Sequence, residues 1–177
     1  TLLISAIGIV PDVEASASMF LKQPRNALYL VGATGNDLGG SLATRLTGAH
    51  GGPAPRVDLK QGPENLRAVH AAVRERIVQS VHDLSEGGLA VALAEMALGG
   101  NLGASVSLDH VPVSSNGLDA GTLLFSESPS RFLVEVAPSD APAFESVMAG
   151  VPHAHVGEVA EDGVLTVIAG DQPIISA

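Results

Sequence analysis

The sequence has 177 residues, enough for one domain of ordinary to large size. Its net charge of −10 and pI near 4.8 oppose binding to nucleic-acid phosphates or to an anionic membrane surface, because both need a basic face. There is no cysteine, which excludes disulfides, zinc–thiolate sites and cysteine nucleophiles, that of a glutaminase included.

Hydrophobic residues make up 46% of the chain but aromatic ones only 3%, so the core must be built from Ala, Val, Leu and Ile. No apolar run reaches the length of a membrane span, and no charged segment precedes an apolar one in the manner of a signal peptide. A cytoplasmic protein is the expectation. The chain opens at Thr1 directly on an apolar run, a start that fits excision from a longer protein better than removal of an initiator Met.

Residues 2–10 read as a buried strand ended by Pro11 and Asp12. Residues 27–31 are apolar throughout and read as a second strand. Gly39, Gly40 and Ser41 form a turn before a short helical run over 42–46, and residues 48–55 are a glycine- and proline-rich surface loop. Pro63 and Glu64 fit a helix start; Leu66, Val69, Val73 and Ile77 then recur at helical spacing as one buried stripe. A short strand over 79–82 follows. The helix expected over 89–98 is apolar on nearly all sides, with Glu95 its only charge, and should be mostly buried. Residues 104–108 alternate as a strand. Residues 122–125 read as another strand and 132–136 as the next, and Ser139 can cap a helix over 141–148. Residues 155–159 and 164–168 flank Glu161, Asp162 and Gly163, the signal of a hairpin. The order predicts an α/β (α+β) domain, a mixed β-sheet covered by helices, as a single domain over 1–177.

The polar residues of residues 82–88 carry the strongest chemical signal. A strand ends at Asp83; Ser85, Gly87 and Gly88 follow and open a helix. A helix start offers unpaired N–H groups to an anion, and a carboxylate beside it suits Mg²⁺. The plainer alternative makes Ser85 an N-cap and Asp83 a favourable charge near the helix start. Ser126, Glu127 and Ser128 form a second cluster. Glu127 could take Mg²⁺ or a ribose hydroxyl and the serines a phosphate, or the three could be a solvated connection before Pro129. Gly39, Gly40 and Ser41 lack the Lys of a P-loop, which favours close helix packing over an anion site. His153 and His155 share one face of a strand, but with no cysteine near them a zinc site is not expected.

The run His-Asp-Leu-Ser-Glu-Gly-Gly-Leu-Ala-Val-Ala-Leu-Ala-Glu-Met, from His82 to Met96, resembles the C-terminal domain of phosphoribosylformylglycinamidine synthase, a purine-biosynthesis family. The domain type is shared with aminoimidazole ribonucleotide synthetase, selenophosphate synthetase and a hydrogenase maturation factor. Leu38-Gly39-Gly40-Ser41, the run from Leu98 to Ala104, Phe125-Ser126-Glu127-Ser128 and Arg131-Phe132-Leu133-Val134 carry the same resemblance. Gln23-Pro24-Arg25-Asn26 and Pro129 depart from the family pattern.

The resemblance implies an aminoimidazole ribonucleotide synthetase C-terminal-domain-like fold, standing as the C-terminal domain of a longer, internally duplicated synthetase. The implied activity is that of a carbon–nitrogen ligase. ATP activates the amide oxygen of formylglycinamide ribonucleotide, and ammonia from glutamine displaces phosphate to give formylglycinamidine ribonucleotide. Implied partners are the remaining synthetase domains and a separate glutaminase subunit; the isolated domain would be inactive. Carried over by motif, Asp83 binds Mg²⁺ and Ser85, with Gly87 and Gly88, holds the phosphates of ATP or ADP at an auxiliary site. Ser126, Glu127 and Ser128 correspond to a substrate-binding loop. Two alternatives remain: a structural module that only holds a nucleotide, and the equivalent domain of aminoimidazole ribonucleotide synthetase or selenophosphate synthetase.

Overall fold

The computed structural model describes residues 3–48 and 52–177. Its strands are β1 (Ala27–Val31), β2 (Ser80–Asp83), β3 (Gly103–Ser107), β4 (Phe132–Val136), β5 (His153–Ala160), β6 (Leu165–Ala169) and β7 (Gln172–Ser176). Its helices are α1 (Leu42–Thr47), α2 (Gln61–Arg74), α3 (Gly88–Gly100), α4 (Ala120–Phe125) and α5 (Ala141–Val147). The strands form one seven-stranded mixed sheet in the order β2-β4-β1-β5-β3-β6-β7. All neighbours are antiparallel except β3 and β6.

Side-chain alternation along β1 and β4 divides the core between the two sheet faces. Leu28, Leu30 and Leu133 pack with Leu89, Leu93 and Met96 of α3 and Leu124 of α4. Tyr29, Val31, Val134 and Val136 pack on the other face with Val69 and Ala72 of α2 and Phe144 of α5. Burial of this aliphatic surface is the main stabilising term, roughly 25 cal/mol per Å² removed from water. The expected mixed sheet covered by helices is therefore present.

Four elements differ from the sequence expectation, each for a physical reason. Residues 3–10 form no strand (Leu2 lies outside the described residues), and Ile7 is fully exposed. The β2 edge is met instead by Ser18, whose carbonyl accepts from the Val81 N–H at 3.0 Å. Residues 122–125 are helical, because the Asp119 Oδ1 accepts from the Thr122 N–H at 2.7 Å and caps α4. β5 and β6 do not form a hairpin, since β3 lies between them and pairs parallel with β6. β7, not foreseen, folds back on β6 through Gly170, whose φ of +58° is open to glycine at little cost.

Smaller shifts follow the same logic. α2 begins at Gln61, two residues before Pro63, because the Asp58 carboxylate accepts from the N–H groups of Lys60 and Gln61. Its buried face is Gly62, Asn65, Val69 and Ala72, and Leu66 is half exposed. α5 starts after Asp140 and has no side-chain cap, so Ser139 does not cap it. α3 buries Leu89, Leu93 and Met96 as expected but leaves Leu98 81% exposed. Of the loop expected at 48–55, residues 49–51 lie outside the described residues.

Candidate functional site

β2 delivers Asp83 to its end with the carboxylate side chain 66% exposed. The neighbouring His82 ring is mostly buried; its Nε2 lies 2.8 Å from the Glu95 Oε2 and its Nδ1 3.5 Å from the Asp83 Oδ1. Alternation would send His82 and Asp83 to opposite faces, yet the ring still reaches the Asp83 carboxylate. Ser85 is exposed and gives α3 no side-chain cap: the cap position is Gly87, in the left-handed region at φ +83°. The Ser85 carbonyl accepts from the Gly88 N–H at 3.1 Å, closing the turn. The capping alternative for Ser85 is thereby removed, and the residue stays at the surface.

Gly87 and Gly88 each have a steric reason to be glycine. Both have positive φ, and a Cβ on Gly88 would overlap the Ser126 carbonyl. The Gly87 N–H is donated to the Glu127 Oε1 at 2.9 Å, so that donor is spent inside the protein rather than kept for a phosphate.

The 126–128 segment is a hydrogen-bonded knot rather than a solvated connection, and Ser128 also faces a cleft. The Ser126 hydroxyl donates to the Gly35 carbonyl at 2.7 Å and accepts from the Asp37 N–H. The Ser128 hydroxyl donates to the Asp37 carboxylate and accepts from the Gly35 N–H at 2.8 Å. Both serines are buried. Arg131, 1% exposed, donates to the carbonyls of Ser126 and Ser128 and to the Thr34 hydroxyl. Burial pulls its guanidinium pKa down to about 10, with the Asp37 charge acting the other way. Glu127 turns away from this knot, and its Oε1 accepts from both the Gly87 N–H and the Leu42 N–H, the latter at 2.8 Å. The three polar motifs read separately from the sequence thus converge on one carboxylate oxygen. Ser41, the third, is buried and caps α1 by accepting from the Thr44 N–H, and Gly39 packs against the carbonyls of Gly52 and Pro53.

Two features had no signal in the sequence. A polar cleft of about 370 Å³ opens beside the knot, lined among others by Asp37, Arg56, Asp58, Asn65, Ser114 and Ser130. Its walls come from segments far apart in the chain, joined where the Asn65 amide donates to the Ser130 carbonyl at 3.0 Å. On β4, Glu135 is fully buried and accepts from the N–H groups of Lys22 and Gln23, the Asn26 amide and the Ser80 hydroxyl. It anchors the 22–26 loop, where the sequence departs from the family pattern, to the sheet.

Among the described residues no group of three His, Cys, Asp or Glu side chains could hold a metal. His153 bonds the Val151 carbonyl, and the His155 ring packs on Tyr29 with centroids 5.4 Å apart. Asp83 offers a single accessible carboxylate. That fits Mg²⁺, which keeps several waters and takes one or two carboxylates together with nucleotide phosphates.

The model of the AIR synthase related protein family, C-terminal domain, matches residues 23–170. The phosphoribosylformylglycinamidine synthase subunit PurL of Thermococcus sibiricus is 36% identical over 162 residues, covering 92% of this chain and 22% of that protein. The chain therefore spans about a fifth of the length of this relative. The structure of Thermotoga maritima PurL complexed with FGAR superposes with a TM-score of 0.82 at 25% identity, covering 93% of this chain and 29% of that one. The same protein complexed with ADP gives 0.75 at 25% identity (93% and 26%), and the PurLQS structure 0.80 at 25% (93% and 27%). The hydrogenase maturation protein HypE shares the fold, with a TM-score of 0.63 at 17% identity over 93% of this chain and 54% of that one. The resemblance read from the His82–Met96 motif is met, and the chain belongs to the family of AIR synthase related proteins as its C-terminal domain.

Proposed function

We propose that this chain is the C-terminal domain of a phosphoribosylformylglycinamidine synthase, an ATP-dependent carbon–nitrogen ligase of purine biosynthesis, and that within it the chain holds a magnesium-bound nucleotide. The full enzyme turns formylglycinamide ribonucleotide into formylglycinamidine ribonucleotide, using ammonia from a separate glutaminase subunit. The PurL relatives support the ligase, the FGAR complex of T. maritima PurL supports the substrate, its ADP complex supports the nucleotide and the PurLQS assembly supports the partner. The parent protein is an internally duplicated, cytoplasmic synthetase. The acidic charge of this domain fits neither nucleic acid nor an anionic membrane as partner.

The observation that carries the nucleotide reading is the exposed Asp83 carboxylate at the end of β2, followed in the turn before α3 by the exposed Ser85. Asp83 supplies one oxygen to Mg²⁺, and Ser85 donates to a phosphate oxygen. Gly87 and Gly88 give the turn its left-handed backbone, and Gly87 contributes shape rather than its N–H. The bound group supplies charge neutralisation of the polyphosphate. One carboxylate and one hydroxyl do not surround a reacting centre, so the chemistry belongs to clefts completed by other domains. The Asp83 region is then one wall of an auxiliary site.

Calorimetric titration of this chain with Mg·ADP tests the reading. Binding that Asp83→Ala weakens at least about tenfold supports it. Equal binding by the variant overturns the metal role of Asp83. The isolated chain should release no phosphate from ATP in the presence of formylglycinamide ribonucleotide and ammonia, and measurable release overturns the view that the domain is inactive alone.

A further inference from the structure

Glu127 satisfies two helix-start donors at once, at Gly87 and at Leu42, and so ties the two turns together. Each N–H belongs to the start of a helix, where backbone donors have no partner within the helix. The two lie 45 residues apart in the chain, yet their bonds to the Oε1 measure 2.9 and 2.8 Å. The backbone of Glu127 is fixed as well: its N–H donates to the Asp37 carbonyl at 3.1 Å, and the serines on either side are locked to Gly35 and Asp37. The carboxylate is thus mounted on a hydrogen-bonded support and holds two turns from distant parts of the chain. The Gly88 backbone passes close against the Ser126 carbonyl, so a shift of the 85–88 turn presses directly on the same support.

We infer that Glu127 is a positioning residue: through one oxygen it clamps the 85–88 turn to the start of α1, so that a nucleotide seated beside Asp83 is felt at Leu42 and along the 39–41 turn. This rests on the nucleotide reading of Asp83 and Ser85. It gives Glu127 a role other than that of a metal or ribose ligand, and it puts the wall of the polar cleft, formed in part by Asp37 and Ser128, on the same support.

Amide hydrogen exchange, followed well below the unfolding midpoint, tests the clamp in two arms. Without nucleotide, the Gly87 and Leu42 amides should exchange slowly in the wild type and speed up together in Glu127→Ala. Glu127→Gln, which keeps the Oε1 acceptor, should restore both. Loosening of one amide without the other, or failure of Glu127→Gln to restore either, overturns the clamp. With Mg·ADP, protection should rise at Gly87 and Leu42 together in the wild type. In Glu127→Ala the rise at Leu42 should vanish, and the dissociation constant should increase about tenfold. Unchanged affinity and a persisting Leu42 response in Glu127→Ala overturn the transmission. If the wild type binds no Mg·ADP, the nucleotide reading and the transmission fall together, while the first arm still decides the clamp.

Discussion

The 83–88 turn and the 126–128 segment have nearly the same ingredients, acid, hydroxyl and tight backbone, and they touch through one carboxylate. In the first, Asp83 and Ser85 point to solvent, and neither side chain caps the helix that follows. In the second, both hydroxyls are buried, every buried side-chain polar atom is partnered among the described residues, and a buried guanidinium closes the knot. Polar residues that the fold consumes cannot also hold a ligand without first breaking internal bonds. The exposed pair can bind at no such cost. A motif therefore points to function through the groups it leaves unspent, and the two turns divide on that point.

The largest expected effect lies where the two turns meet. Gly88→Ala forces an alanine into the left-handed region at φ +63° and drives its Cβ into the Ser126 carbonyl. The backbone penalty alone is about 1–2 kcal/mol, and the overlap takes the loss to about 3 kcal/mol or more. Urea unfolding should show it as a large drop in midpoint. Gly117→Ala is the control, with φ +81° and open space around the new Cβ; it should lose only about 1 kcal/mol. Equal losses in the two variants would mean that the contact between the turns carries no weight.

Arg131→Met comes next. It leaves the carbonyls of Ser126 and Ser128 and the Thr34 hydroxyl without their donor, at a cost of about 1–3 kcal/mol per stranded group, less where water enters. Whether that damage stays local can be read on the opposite face of the sheet from Tyr29, the only tyrosine in a chain without tryptophan. Burial first, then the hydrogen bond to Glu145, pushes its phenol pKa from 10.0 to about 12. A raised folded-state pKa contributes stability that is complete below pH 10 and lost as pH rises from 10 toward 12. Tyrosinate absorbance should rise with a midpoint near 12 in the wild type and, if the knot is independent of the far face, in Arg131→Met as well. Glu145→Gln should lower the midpoint while burial keeps it above 10. A midpoint near 10 in Arg131→Met would show that the knot holds the whole sheet.

Much of this architecture is legible from spacing. β1 and β4 announce themselves as short apolar runs, and α3 as a long run of strong helix formers. The misread segments share one cause: local pattern does not say what lies alongside. Residues 3–10 are largely apolar, like β1, but find no neighbouring strand among the described residues. The four residues 122–125, three of them apolar, are too few to separate strand from helix, and Asp119, just upstream, decided it. The 161–163 turn promised a hairpin because nothing local shows β3 entering between the two strands. In the site, the exposed Asp83 and Ser85 could be named from sequence. The bonds of Glu127 to partners 40 and 85 residues away could not.

The smallest stability effects should come from the open turn, and their smallness is the sharpest test of the comparison. Asp83→Asn removes an exposed carboxylate whose contact with the His82 ring, at 3.5 Å, is long, the kind of surface contact that contributes little to folding. His82 keeps its closer partner, Glu95, at 2.8 Å. Ser85→Ala removes a hydroxyl that caps nothing. Both variants should unfold within about 0.5 kcal/mol of the wild type, as surface changes do, while Mg·ADP affinity falls in each. Losing neither stability nor affinity would make these residues ornamental. A loss above about 1 kcal/mol with affinity intact would put the open turn in the same structural class as the closed one, since residues that a fold needs are expected to register in its stability whether or not a ligand is present.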